Sequence, residues 1–170
     1  MNTSNEFALL DANILVYADQ EEDEHHAASK RLRDQGRLGT RALCVCPQVL
    51  NEYFSVVTSP RRVTNPRSSE AAMEEVEQYV ASRHIRKVYP TPNTFKRLQA
   101  LFQTYPVEGP LIFDLYLAAT ILENGITKIY TYNTADFARI SEIEVLEPDA
   151  IIAAESEDTQ ESEQQDSATE

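Results

Sequence analysis

Long apolar runs, more than two cysteines, a basic N-terminus and, near the C-terminus, positive charge of any kind are all missing from this chain. Met1 to Glu6 carry no Lys or Arg, and no long apolar stretch follows them. Neither a signal peptide nor a transmembrane helix is readable, and the cytoplasm is the expected location. The two cysteines, Cys44 and Cys46, sit one residue apart in Ala42-Leu43-Cys44-Val45-Cys46. In a strand both would point to one face, which disfavours a disulfide between them. The three histidines (His25, His26, His84) add no zinc-ligand spacing. Buried, reduced thiols are the expectation. There is no internal repeat.

A chain of 170 residues suits one domain that buries a core without disulfide staples. Its formal net charge of −13 would oppose a polyanionic partner if it were evenly spread. It is not: eight acids and no Lys or Arg lie between Asp149 and Glu170, which leaves −5 for the rest. After Ala154 the composition is mostly Glu, Ser, Gln, Asp and Thr with no aromatic residue. Such a segment cannot bury enough surface to offset the entropy of ordering. The expected organisation is a leader over residues 1–6, one domain over 7–148, and an acidic, disordered, solubilising tail over 149–170.

Phe7 to Leu10 reads as a buried strand, followed at Asp11 by a turn and a helix through Asn13-Ile14-Leu15-Val16-Tyr17-Ala18. Leu43 to Cys46 is a second strand. Pro47 then suits the first turn of a helix that presents Val49, Leu50, Tyr53, Phe54 and Val57 on its apolar face. Ser68-Ser69-Glu70 offers a cap and a first-turn acid for a helix to about Ser82. Ile85 to Tyr89 reads as a short edge strand or an irregular link, and Asn93 as the cap of a helix containing Phe95, Leu98, Leu101 and Phe102. Ile112 to Leu122 has helical spacing and stops at Asn124-Gly125. Lys128 to Tyr132 is a strand, Asn133 to Phe137 turns into a short helix, and Val145-Leu146 forms a last strand. Strands alternating with helices imply a three-layer α/β domain whose central, mainly parallel sheet is flanked by helices.

Open parallel sheets present functional groups at the carboxyl ends of their strands. Asp11 follows one strand, and Asn133 and Asp136 follow another. Glu52 lies in the helix after the second strand, and Asp114 near the start of a later helix. A lone Asp beside a strand is more often a cap or turn former. Asp114, however, stands between Leu111-Ile112-Phe113 and Leu115-Tyr116-Leu117, where an unpaired carboxylate is costly. A hard divalent cation with oxygen ligands would compensate such a cluster, and the same arrangement performs phosphodiester chemistry with one ion or two. Arg61, Arg62 and Arg67 are candidate RNA contacts because Arg forks suit phosphate, with a solvated loop as the plainer reading. His25-His26 reads as an exposed helix face, and Tyr130 and Tyr132 as strand packing.

Leu9-Leu10-Asp11-Ala12-Asn13-Ile14-Leu15, Asn51-Glu52, Phe113-Asp114-Leu115-Tyr116-Leu117-Ala118-Ala119 and Thr131-Tyr132-Asn133-Thr134-Ala135-Asp136-Phe137, in that order, resemble the PIN-domain pattern. Within it the chain is most similar to VapC-type toxins of bacterial toxin-antitoxin pairs, a match strengthened by Val56 to Arg62 and Asn65-Pro66-Arg67. The resemblance spans about residues 7 to 148. It implies an endoribonuclease with Mg²⁺ or Mn²⁺ held by Asp11, Glu52, Asp114 and Asp136. Asn13, Thr131 and Asn133 are candidates for supporting or phosphate-positioning roles, the last at a place where members carry Asp or Asn. It further implies an RNA substrate, a cognate antitoxin protein and a tendency to form a homodimer; no membrane association is expected, since no transmembrane helix is readable. Two other readings stand beside it: a catalytically silent protein-binding module, and an RNA-processing nuclease without an antitoxin. On composition, deleting residues 155–170 should leave the thermal midpoint nearly unchanged. A large drop in a melting experiment would show that the tail docks.

Overall fold

Every strand among the described residues runs the same way, so all their carboxyl ends meet at one edge of the sheet. The structure, a computed structural model, describes residues 6–150. The first five residues of the expected leader and residues 151–170 of the expected tail lie outside the described residues. The strands are β1 (Ala8–Leu10), β2 (Leu43–Val45), β3 (Arg86–Lys87), β4 (Lys128–Tyr130) and β5 (Glu144–Leu146). Their order is β3-β2-β1-β4-β5, and every neighbouring pair is parallel. The chain builds outward from β1 to one side and then returns to build on the other. The point where the order reverses is therefore the gap between β1 and β4, where open α/β sheets form their clefts.

All three residues of β1 and of β2 are buried, which requires cover on both faces of the sheet. The cover comes from α1 (Ala12–Tyr17), α2 (His26–Leu38), α3 (Pro47–Val57), α4 (Ser69–Ala81), α5 (Thr94–Thr104), α6 (Leu111–Glu123) and α7 (Thr134–Ala138). The three-layer parallel α/β arrangement is thus the observed one. None of these helices is long and apolar enough to cross a membrane. Pro47 occupies the first turn of α3, and the Ser68 hydroxyl accepts from the Ala71 N–H at the start of α4. Gly125 closes α6 with a φ of 71°, a conformation that costs glycine nothing. Gly36 serves differently. A Cβ there would stand 2.7 Å from Leu43 Cδ1, so its absence lets α2 lie close on β2.

Several expectations need correction. The whole of α2 lies in a polar stretch that gave no clear helical reading. Asn93 stands at the start of α5 but makes no side-chain cap; Thr94 does the local work, its hydroxyl accepting from the Thr91 N–H at 2.8 Å. β4 ends at Tyr130, two residues early, because Thr131 and Tyr132 turn toward the cleft. His25 and His26 are half-buried rather than exposed. His25 stacks on Tyr132 with ring centroids 3.8 Å apart, and His26 Nδ1 is 3.0 Å from the Tyr17 carbonyl. Cys44 and Cys46 are buried and unbridged, and burial pushes both thiols up, Cys46 to about 11.

Beneath the helices lies an ionic knot. The Asp19 side chain is only 2 % exposed and pairs with Arg67 Nε at 2.8 Å and Arg33 at 3.4 Å, while the Tyr53 hydroxyl donates to it. Arg67 also donates its backbone N–H to the Val57 carbonyl at 2.8 Å, so the loop after α3 is pinned at both main chain and side chain. Removing one partner of a buried ion pair leaves the others desolvated and uncompensated. Asp19→Ala should therefore cost about 3 kcal/mol in urea denaturation. Breaking the exposed Lys30–Asp34 pair should cost about 0.5 kcal/mol or less. Equal losses at the two sites would contradict the structural role of Asp19.

Candidate active site

Asp11 ends β1 and caps α1, so its carboxylate points into the gap between β1 and β4. One oxygen, Oδ1, accepts from the Ala12 N–H at 2.7 Å. The other accepts from Asn13 Nδ2 at 2.9 Å and from the Thr131 hydroxyl at 2.6 Å. Thr131 Oγ1 accepts in turn from Asn13 Nδ2 at 3.0 Å and from the Asn133 N–H at 2.9 Å. Asn13 Oδ1 accepts from the Tyr132 N–H at 3.3 Å. A hydrogen-bonded lattice thus joins the residues after β1 to those after β4. Asn133 Nδ2 extends it to Asp136 Oδ2 in the first turn of α7.

Burial raises the pKa of Asp11 against these hydrogen bonds, and the charge of Asp136 adds to the rise. In Asp114, burial and then the charges of Asp136, Asp11 and Glu52 push the carboxyl up to about 6, with Arg139 opposing. Burial and Asp11 likewise raise Glu52, while Arg62 lowers it. Four acids from four segments are therefore close enough to feel one another's charge. The apolar setting expected for Asp114 needs correction: it is half-exposed at the wet edge of α6, and its neighbour Phe113 is 63 % exposed. Its cost comes from like charges as well as burial.

A recess of about 430 Å³ opens between Asp114 and Glu52, lined also by Gln48, Ser55, Arg62 and Asn133. Gln48 and Ser55 escaped the sequence reading, although both share the Glu52 face of α3 at spacings of four and three residues. Gln48 Nε2 also donates to the Phe113 carbonyl at 2.9 Å and so fixes α3 against α6. Arg139 was missed too; three residues beyond Asp136, its Nε donates to the Asp136 carbonyl at 3.2 Å. The three loop arginines part company. Arg62 lines the recess, Arg61 is exposed, and Arg67 is held by Asp19.

The donor set is carboxylate only, which suits a hard divalent cation rather than zinc with its nitrogen and sulfur ligands. Among the described residues no group of three or more His, Cys, Asp or Glu side chains is placed to hold a metal ion. Mg²⁺ ordinarily needs only one or two carboxylates, with water and phosphate oxygens completing its shell. The family model described as the PIN domain matches residues 8–143. The chain belongs to the PIN-domain family. Ribonuclease VapC48 of Mycobacterium tuberculosis is 25 % identical over 138 residues, covering 81 % of this chain and 94 % of that protein. Among solved structures of this fold, M. tuberculosis VapC20, described as a sarcin-ricin loop cleaving toxin, superposes with a TM-score of 0.58 at 15 % identity, over 77 % of this chain and 93 % of its own. A toxin-antitoxin complex from Klebsiella pneumoniae gives 0.56 at 17 % identity, over 83 % and 97 %.

The raised carboxyls give the PIN domain a defined pH response in the absence of divalent metal. An acid whose folded pKa is raised binds more protons folded than unfolded. The stability contributed by Asp114 is therefore complete below its ordinary value of 3.8 and lost as pH climbs through about 6. Asp11 and Glu52 act in the same direction. Melting temperatures in chelator should show wild type losing ground to Asp114→Asn between about pH 4 and pH 7. Parallel curves for the two proteins would remove the charge coupling at Asp114.

Proposed function

We propose that this protein is a metal-dependent endoribonuclease that hydrolyses RNA phosphodiesters in the cytoplasm as the toxin of a toxin-antitoxin pair. The observation that carries the reading is the mutual charge coupling of Asp11, Glu52, Asp114 and Asp136, with Glu52 and Asp114 on the wall of an open recess, within a PIN domain. VapC48 is named a ribonuclease, and a Klebsiella toxin-antitoxin complex shares the fold, which supports both halves of the proposal.

Those four carboxylates would hold Mg²⁺ or Mn²⁺. A divalent cation bound there supplies a Lewis acid for the phosphate oxygen and lowers the pKa of bound water. The chain's own groups do the rest. Thr131 and Asn13 fix the rotamer of Asp11, so its charge is aimed before any ligand arrives. Asn133 does the same for Asp136. Arg62, the cation on the recess wall, is placed to meet a phosphate and orient the strand across the acids, while Gln48 keeps α3 and α6 at a constant separation. Arg61 can add long-range attraction, whereas Arg67 acts by pinning the loop that carries both.

Two partner surfaces belong to the same proposal: a cognate antitoxin and a second copy of the chain. An apolar recess of about 550 Å³ lined by Pro47, Leu98, Ile112 and Tyr116, with Phe95 68 % exposed beside it, is the face we assign to self-association. Purified protein should cut single-stranded RNA in Mg²⁺ or Mn²⁺ and stop in chelator. Asp114→Asn should keep the fold and lose at least ~100-fold in rate. Mn²⁺ should raise the wild-type melting temperature more at pH 7.5 than at pH 5, since protons compete for the same oxygens. No cleavage and no metal-linked shift would leave a silent binding module instead.

A further inference from the structure

The carboxylate recess does not end at Glu52. A second hollow of about 220 Å³ continues from Glu52 and Arg62 past Asn13 to Val16 and Tyr17. A third, of about 250 Å³, begins at Val16, Tyr17 and Arg62 and runs to Gln20, Glu22, Asp23 and Asn65. Shared walls make the three one trench, with the acids at one end and Tyr17 guarding the far hollow. From Asn13 to Tyr17 helix α1 advances about 6 Å, a distance on the scale of one nucleotide.

We propose that the far hollow is a nucleobase subsite that takes the unpaired base next to the scissile phosphate and prefers bases bearing an exocyclic amino group over uracil. The inference rests on the ribonuclease reading. Its chemistry follows from what lines the hollow. Single-stranded RNA is read by splaying bases onto aromatic rings and bonding their edges. Tyr17 supplies the ring, and it is held from behind by Tyr132 at 5.4 Å and His25 at 5.2 Å between centroids. Glu22 and Asp23 supply acceptors, and carboxylates accept from the exocyclic amino groups of cytosine, adenine or guanine, where uracil has carbonyl oxygens and keeps its N3–H as its one edge donor.

The charges also set the strand's orientation. Glu22 and Asp23 repel a phosphate, so the backbone must run on the Arg62 side while the base enters on the acid side. Arg62 is exposed and, among the described residues, interacts with Glu52 through its charge without a close ion pair, so its guanidinium can also reach that backbone. The loop wall carrying Arg62 and Asn65 is held by the Arg67–Asp19 pair, and Gln20 Nε2 reaches the Asn65 carbonyl at 3.4 Å across the hollow. The hollow is thus bounded on both sides by fixed elements.

The test separates binding from cleavage. Labelled uridine pentamers, plain or carrying one A, C or G, are titrated by fluorescence anisotropy into the Asp114→Asn protein in Mg²⁺. At least one amino-bearing pentamer should bind about tenfold tighter than the all-uridine strand. In that background Glu22→Gln should shrink the ratio, Tyr17→Leu should abolish it, and Tyr17→Phe should keep it. Glu22 is exposed, so its variant folds even if Tyr17→Leu does not. Equal affinity for all four strands, or a ratio untouched by Glu22→Gln, overturns the subsite. Cleavage of the same strands by wild type reports on the nuclease separately. Discrimination without cutting would keep the subsite and sink the nuclease, and cutting without discrimination would do the reverse.

Discussion

A carboxylate buried at the end of the central strand is the constraint on which this molecule turns. Asp11 is only 8 % exposed. An isolated buried charge is expensive, so it has to be held by donors. Three arrive at short range: the first N–H of α1, the Asn13 amide and the Thr131 hydroxyl. The last of these comes from the other half of the chain, so β1 and β4 must lie side by side with their ends level. The register Leu10 against Tyr130 gives that alignment. Strand order, the shortness of β4 and the turn at Thr131 all serve the placement of one side chain.

This explains why the fold was legible and the site's interior less so. Strand cores such as Leu9-Leu10 and Leu43-Cys44-Val45 read directly, because burial on both faces demands unbroken apolar runs. Caps at Ser68 and Pro47 read because their chemistry is local. Asp11 and Asp136 drew notice by their positions after strands, and Glu52 and Asp114 chiefly through the family pattern. The mutual charge coupling of the four was not visible, since it depends on distances between four separate segments. Asp114 shows the difference. Its sequence neighbours are apolar, but on a helix adjacent residues face different ways, and Phe113 turns to solvent while Asp114 faces the other acids.

The arginines went astray for a related reason. Arg61, Arg62 and Arg67 form one basic cluster on paper, and nothing local distinguishes them. Asp19 does, from almost fifty residues away: it takes Arg67 into a buried knot with Tyr53 and Arg33. α2 was likewise hidden by its polar surface. Its buried side is made of Ala28, Ser29, Leu32, Arg33 and Gly36, small residues and one paired charge rather than an apolar stripe. Small residues carry a weak hydrophobic signal but let helices approach closely, which is the use made of Gly36 against Leu43.

Charge is the remaining paradox, because a chain of net −13 is read as a binder of polyanions. Part of the answer is where the charge sits: eight of the acids follow Pro148, and four more, Asp11, Glu52, Asp114 and Asp136, are coupled to one another. Those four are held against their own repulsion by the fold, as the raised pKa values of Asp11, Glu52 and Asp114 record. Arg62 and Arg139 relieve that repulsion only in part, since Asp114 remains near 6 with Arg139 nearby. The cleft is therefore electrostatically incomplete: it favours any cation that neutralises it and disfavours a phosphodiester until one has. A polyanion and a divalent cation should then bind cooperatively, each supplying the charge the other needs.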